Sequence, residues 1–131
     1  MLRQIETLNL SHCVKLCGPT SELKNKMLDA SVYAMSSHTE CFPMVLLEAM
    51  ACGLPVVSFD CPCGPRNIVK DGEDGILVKN GEVKKLADAL LELIQDDSSR
   101  KSKGIEAYRN ILRFSPQKIM GSWESLFHEL Q

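Results

Sequence analysis

The chain has 131 residues, of which 44% are hydrophobic, 24% charged and 5% aromatic. This length and composition fit one globular domain over residues 1–131, and they exclude disordered, collagen-like and coiled-coil proteins. The formal net charge of -2 gives no broad attraction for nucleic acid or for an anionic membrane. One local site for an anion remains compatible with that charge.

The spacing of cysteine and histidine gives no sign of a zinc site or a disulfide framework. The six cysteines include no Cys-x-x-Cys pair, and none of the three histidines stands at zinc-finger spacing from a cysteine pair. We therefore expect reduced thiols in a cytosolic protein without a signal peptide. The longest apolar stretch, residues 43–59, contains Glu48, Gly53 and Pro55 and is too interrupted to span a bilayer.

The first half of the chain predicts short helices that alternate with strands. Leu2, Ile5 and Leu8 share one helical face, and the β-branched run after Leu54 is typical of a buried strand. Pro43 suits the first turn of a helix that Gly53 ends. In chain order we predict a helix over residues 1–10, a strand over 14–17, a helix over 21–29 capped by Ser21, a strand over 32–36 buried on both faces, a helix over 44–52 and a strand over 54–59.

The second half predicts one more strand and three longer helices. Leu86, Leu90 and Leu93 belong to an apolar stripe with helical spacing, and Ser115-Pro116 is typical of a helix start. The predicted elements are a helical turn over residues 66–70, a strand over 76–78, and helices over 83–95, 98–110 and about 115–131.

Strands that alternate with helices through short connections predict an α/β fold, with a doubly wound parallel sheet of four strands and helices on both faces. Such sheets bind ligands in the crevice beyond the carboxyl ends of their strands. The loops over residues 37–42 and 60–66 follow the second and third predicted strands, so we expect the chemistry there.

Two glutamates, Glu40 and Glu48, stand eight positions apart at this edge. Glu40 lies in the loop before the predicted helix and Glu48 in its second turn, so both carboxylates can face one crevice. Glu48 is the sole charged residue between Cys41 and Phe59, in a run that otherwise predicts core. Because an unpaired buried carboxylate is costly, Glu48 should have either a ligand or a structural partner such as an arginine or a backbone N–H.

The start of the helix near Pro43 offers free backbone N–H groups and the positive end of the helix dipole. Proline has no N–H, so the donors to an anion such as a diphosphate would be the amides of Phe42, Met44 and Val45. Any helix of an α/β fold offers such amides, so this feature alone has little specificity.

The loop Cys-Pro-Cys-Gly-Pro-Arg over residues 61–66 forms the second wall of the predicted crevice. Gly64 permits a close backbone approach, and Arg66 could contact a phosphate or a sugar hydroxyl. A turn held by Pro62 and Pro65, with Arg66 in solvent, is equally compatible with these residues.

The chain resembles the family 4 retaining glycosyltransferases over residues 36–57, SSHTECFPMVLLEAMACGLPVV. Those enzymes carry two glutamates separated by seven residues, within a stretch such as SxxExFGLxxxEAMAxGxPVV. The similarity covers the chain from Val14 onward, and it continues through Ile68-Val69, Asp71-Gly72, Gly75, Leu77-Val78, the helix over residues 86–94 and Phe114-Ser115.

The resemblance implies the Rossmann-like C-terminal half of a GT-B enzyme, which binds a UDP- or GDP-linked sugar and needs no metal or other cofactor. Glu40 would be the catalytic residue that contacts the donor sugar and supports the charge of the transition state. Glu48 would hold the ribose hydroxyls of the nucleotide. The remaining binding residues implied are Phe42, Met44 and Val45 at the diphosphate and Gly64, Pro65 and Arg66 at the sugar.

The chain departs from the family pattern in several places. Pro43 stands where the family usually has glycine, which removes one possible phosphate donor, and Asn67 stands where glutamate is common. The family's first strand-helix-strand unit of this domain, whose Arg and Lys neutralise the diphosphate, has no counterpart in the chain. The family's N-terminal acceptor-binding domain has none either, so we expect the isolated chain to be inactive.

Two functions remain open at this point. The first is retaining transfer of a hexose or N-acetylhexosamine to a glycan or lipid-linked acceptor in polysaccharide biosynthesis, by a cytoplasmic protein that can sit at the inner membrane face. The second is a non-catalytic partner subunit or inactive fragment that completes another glycosyltransferase chain, with self-association or contact through an exposed sheet edge. A phospho-receiver domain is excluded because the chain lacks its acidic pair and its Lys-Pro.

Overall fold

The computed structural model describes residues 1–130, and these contain a parallel sheet of three strands. The strands β1 (Tyr33–Met35), β2 (Val56–Asp60) and β3 (Gly75–Lys79) lie side by side in that order. Tyr33 pairs with Val56, and Val56 pairs with Gly75 on its other side. The predicted α/β class and parallel sheet are therefore confirmed, with β2 at the centre.

Helices account for most of the remaining described chain. The α-helices are α1 (Leu2–Thr7), α2 (Leu23–Leu28), α3 (Met44–Ala51), α4 (Val83–Gln95), α5 (Asp97–Ile111) and α6 (Pro116–Glu129). Short 3-10 turns cover Pro65–Asn67 and Leu112–Phe114. The predicted helix over 83–95 matches α4 at both ends, and the predictions for α3 and α5 are right to within one residue at each end.

The core has two layers because consecutive residues of β2 point to opposite faces of the sheet. Val56 packs on one face with buried residues of α3 and α5, among them Leu46 and Ala107. Val57 packs on the other face with buried residues of β3 and α4, including Leu93. Helices thus cover both faces, as the doubly wound arrangement requires.

The strand predicted over residues 14–17 is wrong. This segment is an irregular loop in which Val14 and Leu16 are 40% and 44% exposed. A short alternating run becomes a strand only when a neighbouring strand satisfies its backbone groups, and β1 pairs with β2 alone among the described residues. The predicted fourth strand of the sheet is therefore absent from residues 1–130.

Two further predictions about the first half need correction. Ser21 does not cap α2, which begins at Leu23, and Thr20 instead accepts a hydrogen bond from the backbone N–H of Glu22 at 3.0 Å. The strand predicted to be buried on both faces is buried on one, because Met35 is buried while Ala34, which points to the opposite face, is exposed. Gln131, the last residue of the predicted final helix, lies outside the described residues.

Candidate functional site

The two loops that follow β1 and β2 meet at the carboxyl edge of the sheet. The contact is made by Gly64, where a Cβ atom would lie 3.2 Å from the Cβ of Glu40 and 2.9 Å from the Cδ of Pro43. Glycine is needed here because the neighbouring loop leaves no room for a side chain. Glu40 and the start of α3 therefore lie next to Gly64 at the predicted crevice.

The charges of both glutamates influence the hydroxyl group of one half-buried tyrosine. Tyr33 of β1 is half-buried, and the pKa of its hydroxyl is raised, first by burial and then by the negative charges of Glu40 and of Glu48. Glu40 itself is half-buried in the loop after β1. The structure thus brings the two carboxylates of the sequence motif to the same region.

Glu48 is not buried, contrary to the expectation drawn from its apolar neighbours. It lies on the exposed side of α3, whereas Ala49 and Met50 next to it point into the core. The apolar run suggested that Glu48 is buried, but α3 carries apolar residues on its exposed side as well as on the side that faces the core. No described residue forms a hydrogen bond or ion pair with the Glu48 carboxylate, so the structural partner that the sequence left open is not present in residues 1–130.

The carboxylate of Glu48 borders two clefts, one on each side. A cleft of about 390 Å³ lies between α2 and α3 and is lined by Leu23, Met27 and Cys52. A second cleft of about 340 Å³ is lined by Phe114 and Ser115, among other residues near the end of α5. Glu48 is thus accessible to a ligand that occupies either cleft.

The start of α3 carries the free amides that the sequence predicts. The backbone N–H of Leu46 donates to the carbonyl oxygen of Pro43 at 3.0 Å, which closes the first turn. The N–H groups of Phe42, Met44 and Val45 have no acceptor among residues 1–130. These donors lie next to Glu40 in the chain, at the positive end of the helix dipole.

Arg66 is directed toward a different partner from the one the sequence suggested for it. Its Nε and Nη2 donate to the two carboxylate oxygens of Asp60 at 2.9 and 2.6 Å, and this contact raises the pKa of the guanidinium. The pair lines a third cleft, of about 680 Å³, together with Asn80 and away from Glu48. Arg66 is 64% exposed, as in the solvent-facing alternative, while Pro65 is buried in the 3-10 turn.

Two polar contacts at this edge escaped the sequence analysis. His38 and Asn80, which are 42 positions apart, form two hydrogen bonds with each other. Arg113 donates from Nη2 to the carbonyl oxygens of Asn67 and Ile68 at 2.7 and 2.9 Å. The sequence gives no sign of either contact, because the partners are far apart in the chain and are brought together only by the fold.

The surface of the site also has an aromatic contact, between Phe42 and Phe114. Their ring centroids lie 6.0 Å apart in an edge-to-face arrangement, and the Arg113 guanidinium lies 4.2 Å from the centroid of Phe114. This stack joins the end of α5 to the loop that precedes α3.

The thiols at the carboxyl edge of the sheet differ in exposure, and Cys52 in the cleft beside Glu48 is half-buried. Cys61 is buried, which raises the pKa of its thiol, whereas Cys41 and Cys63 are exposed. Within residues 1–130 there is no group of three or more His, Cys, Asp or Glu side chains that could hold a metal ion. Over the same residues no helix is both long and apolar enough to cross a membrane.

A parallel sheet covered on both faces, with two carboxylates and free helix amides at its carboxyl edge, has the architecture of doubly wound α/β domains, which bind ligands at that edge. The family model described as Glycosyl transferases group 1 matches residues 1–110. The chain belongs to this family.

Relatives and solved structures support the assignment. An exopolysaccharide phosphotransferase of Streptomyces coelicolor is 39% identical over 127 residues, which are 96% of this chain and 14% of that protein. A crystal structure of a Staphylococcus aureus TarM mutant with fondaparinux, alpha-GlcNAc-glycerol and UDP has a TM-score of 0.90 and 31% identity, over 96% of this chain and 26% of that one. Anabaena HepE in complex with UDP has a TM-score of 0.86 and 29% identity, over 95% of this chain and 35% of that one.

These matches define the fold as that of the C-terminal domain of GT-B glycosyltransferases. The chain spans well under two thirds of each of these proteins, between 14% and 35% of their length.

Proposed function

We propose that this chain is the donor-binding domain of a retaining, family 4 glycosyltransferase, and that it binds a UDP-linked sugar. The observation that carries the proposal is the arrangement at the start of α3: Glu40 before the helix, Glu48 exposed on it, and free backbone N–H groups between them. UDP is favoured over GDP because TarM and HepE, whose structures match this chain closely, were solved with UDP.

Glu48 is proposed to hold the ribose of the nucleotide. An exposed carboxylate without a protein partner can accept hydrogen bonds from two neighbouring hydroxyl groups. The adjacent cleft of about 390 Å³ is lined mainly by apolar side chains, which suits the nucleoside.

The diphosphate is proposed to bind the amides of Phe42, Met44 and Val45. These donors and the helix dipole stabilise negative charge without a basic surface, which agrees with a chain of net charge -2. Neither a metal ion nor another cofactor is invoked, because fixed amide dipoles can offset the charge of the leaving diphosphate. Arg66 would add to this binding only by leaving Asp60.

Glu40 is proposed to face the donor sugar and to stabilise positive charge that develops there during transfer. Gly64 supports this role because, without a side chain, it lets its loop lie directly against the stem of Glu40. Pro65 is proposed to form part of the same wall, since the 3-10 turn that it begins follows directly on Gly64.

The complete reaction is proposed as transfer of a hexose or N-acetylhexosamine to a glycan or lipid-linked acceptor in polysaccharide biosynthesis. The protein would work in the cytoplasm or at the inner face of the membrane. The alternative, a non-catalytic partner subunit, has less support because the chain retains both glutamates and the free amides of the donor site.

Isothermal titration of the chain with UDP and with GDP tests the proposal. We expect UDP to bind with micromolar affinity and Glu48→Ala to weaken it by about tenfold or more, a loss of ~1.4 kcal/mol or more. Glu92→Ala is the matched control, because Glu92 is exposed on α4 and pairs with no described residue. Equal, submillimolar UDP affinity in the wild type and Glu48→Ala would contradict the ribose contact.

A further inference from the structure

The loop that carries Glu40 is held by a single residue from another strand end. The side-chain amide nitrogen of Asn80 donates to the backbone carbonyl oxygen of His38 at 2.8 Å. The amide oxygen of Asn80 lies 2.9 Å from Nδ1 of the His38 ring. Asn80 therefore contacts both the backbone and the side chain of one residue.

The first hydrogen bond determines which group donates in the second. Since the amide nitrogen of Asn80 is a donor to the carbonyl oxygen, its amide oxygen must be the acceptor for the ring. Nδ1 of His38 therefore carries the proton and donates. The ring also packs near Phe59 of β2, with the two centroids 5.6 Å apart, so the pair lies across the end of the central strand.

This pair matters because the loop has few other constraints. Residues 37–42 form no other hydrogen bond with described residues, either through the backbone or through side chains. The other contacts of this loop lie toward α3, where Glu40 packs beside Gly64 and Phe42 makes an edge-to-face contact with Phe114. Without Asn80, the segment between β1 and α3 would be fixed mainly at its two ends.

We infer that Asn80 is a positioning residue for the donor site, which acts through His38 to hold Glu40 in place against the donor sugar. The inference rests on the proposed function for the role of Glu40, although the holding of the loop can be measured without any ligand. Asn80 is not expected to touch the nucleoside, because it lines the cleft of Asp60 and Arg66 and neither of the two clefts that Glu48 lines.

The first test measures the loop itself in the unliganded chain. Backbone NMR order parameters near about 0.85 indicate a rigid segment, and values below about 0.6 a flexible one. We expect Asn80→Ala to lower the order parameters of residues 38–41 and to leave α4 unchanged. Lys79→Ala is the matched control, because Lys79 belongs to the same strand end and its side chain is 80% exposed. Unchanged order parameters in Asn80→Ala would overturn the inference.

The second test separates positioning from a general structural role. We expect Asn80→Ala to weaken UDP-glucose or UDP-N-acetylglucosamine by about three- to tenfold, the effect of losing one or two hydrogen bonds, and to leave UDP within about twofold. In combination with Glu40→Gln the losses should not add, because both changes act on one contact. Asn80→Asp, which retains the acceptor for Nδ1, should recover part of the affinity.

The outcomes of the two proposals are distinct. Additive losses, or an equal loss of UDP and UDP-sugar affinity in Asn80→Ala, would overturn the role of Asn80 while leaving the donor site intact. A wild-type chain that binds neither UDP nor the two UDP-sugars would overturn the proposed function, and the order parameters would still decide whether Asn80 holds the loop.

Discussion

At the scale of single residues, the site depends on the absence of a side chain at Gly64 as well as on the side chains around it. Gly64 is buried against the stem of Glu40 and the ring of Pro43, and the atoms it faces belong to a second loop. The constraint that the structure shows at Gly64 is space, since a Cβ atom there would lie 2.9 Å from Pro43 Cδ and 3.2 Å from Glu40 Cβ.

We therefore predict that Gly64→Ala forces the two loops apart. The added methyl group would lie 2.9 Å from Pro43 Cδ, a rigid ring atom, so the free energy of unfolding should fall by about 1–3 kcal/mol. UDP-sugar binding should weaken with it. Urea unfolding checks the first effect and calorimetry the second.

Gly121→Ala is the control for this change, because a Cβ at Gly121 of α6 meets no atom within 4 Å. Alanine should raise stability there by about 0.5–1 kcal/mol through its helix preference. If Gly64→Ala is as stable as the wild type and binds UDP-sugar equally well, the close packing of the two loops is not needed for the site.

At the scale of secondary structure, predictability followed the length and periodicity of each segment. The stripe that includes Leu86 and Leu93 repeats over several turns, so α4 was predicted at both ends. Residues 14–17 offered only a weak alternation, and the missing strand partner that decides their structure is not visible in a local pattern.

The site divides in the same way. The glutamate pair and the free amides follow from local order along the chain, because both surround one helix start. Other features depend on which segments the sheet brings together. The burial expected for Glu48 was wrong, and the Asp60–Arg66 pair and the His38–Asn80 contact were not predicted.

One contact between elements should respond to pH. Asp74 is fully buried before β3, where it accepts from the backbone N–H of Lys70 at 2.8 Å and from Asn110 of α5. Burial nevertheless raises the pKa of its carboxyl group above the ordinary value of an aspartate. The folded chain therefore binds a proton at this site more readily than the unfolded chain, so the contribution of Asp74 to stability falls as pH rises through its folded pKa.

We predict that Asp74→Asn removes this pH dependence. The difference in unfolding free energy, wild type minus Asp74→Asn, should be larger at about pH 4 than at about pH 7. As the pH rises through the raised pKa of the folded state, Asp74 loses the proton that favours the folded chain over the unfolded one. Urea unfolding of both proteins at each pH measures it, and the other carboxyl groups cancel in the difference. A difference that is constant or grows with pH would show that hydrogen bonds to Asp74 outweigh its burial.

At the scale of the whole molecule, the groups proposed for donor binding lie in open clefts. The clefts beside Glu48 and Arg66 are open to solvent, and α6 has no buried residue and exposes Trp123 and Phe127. Every catalytic or binding group proposed here belongs to the donor, and no described group has been assigned to an acceptor.

The isolated chain should accordingly bind UDP without transferring sugar. Transfer needs an acceptor hydroxyl held against the donor with water excluded. An open cleft supplies neither that alignment nor the low dielectric that strengthens the electrostatic effect of the Glu40 carboxylate. Incubation with UDP-glucose should release UDP no faster than the Glu40→Gln variant does, as measured by a coupled UDP assay. Release that depends on Glu40 would show that the described residues suffice for cleavage of the donor bond, and that the acceptor side contributes position alone.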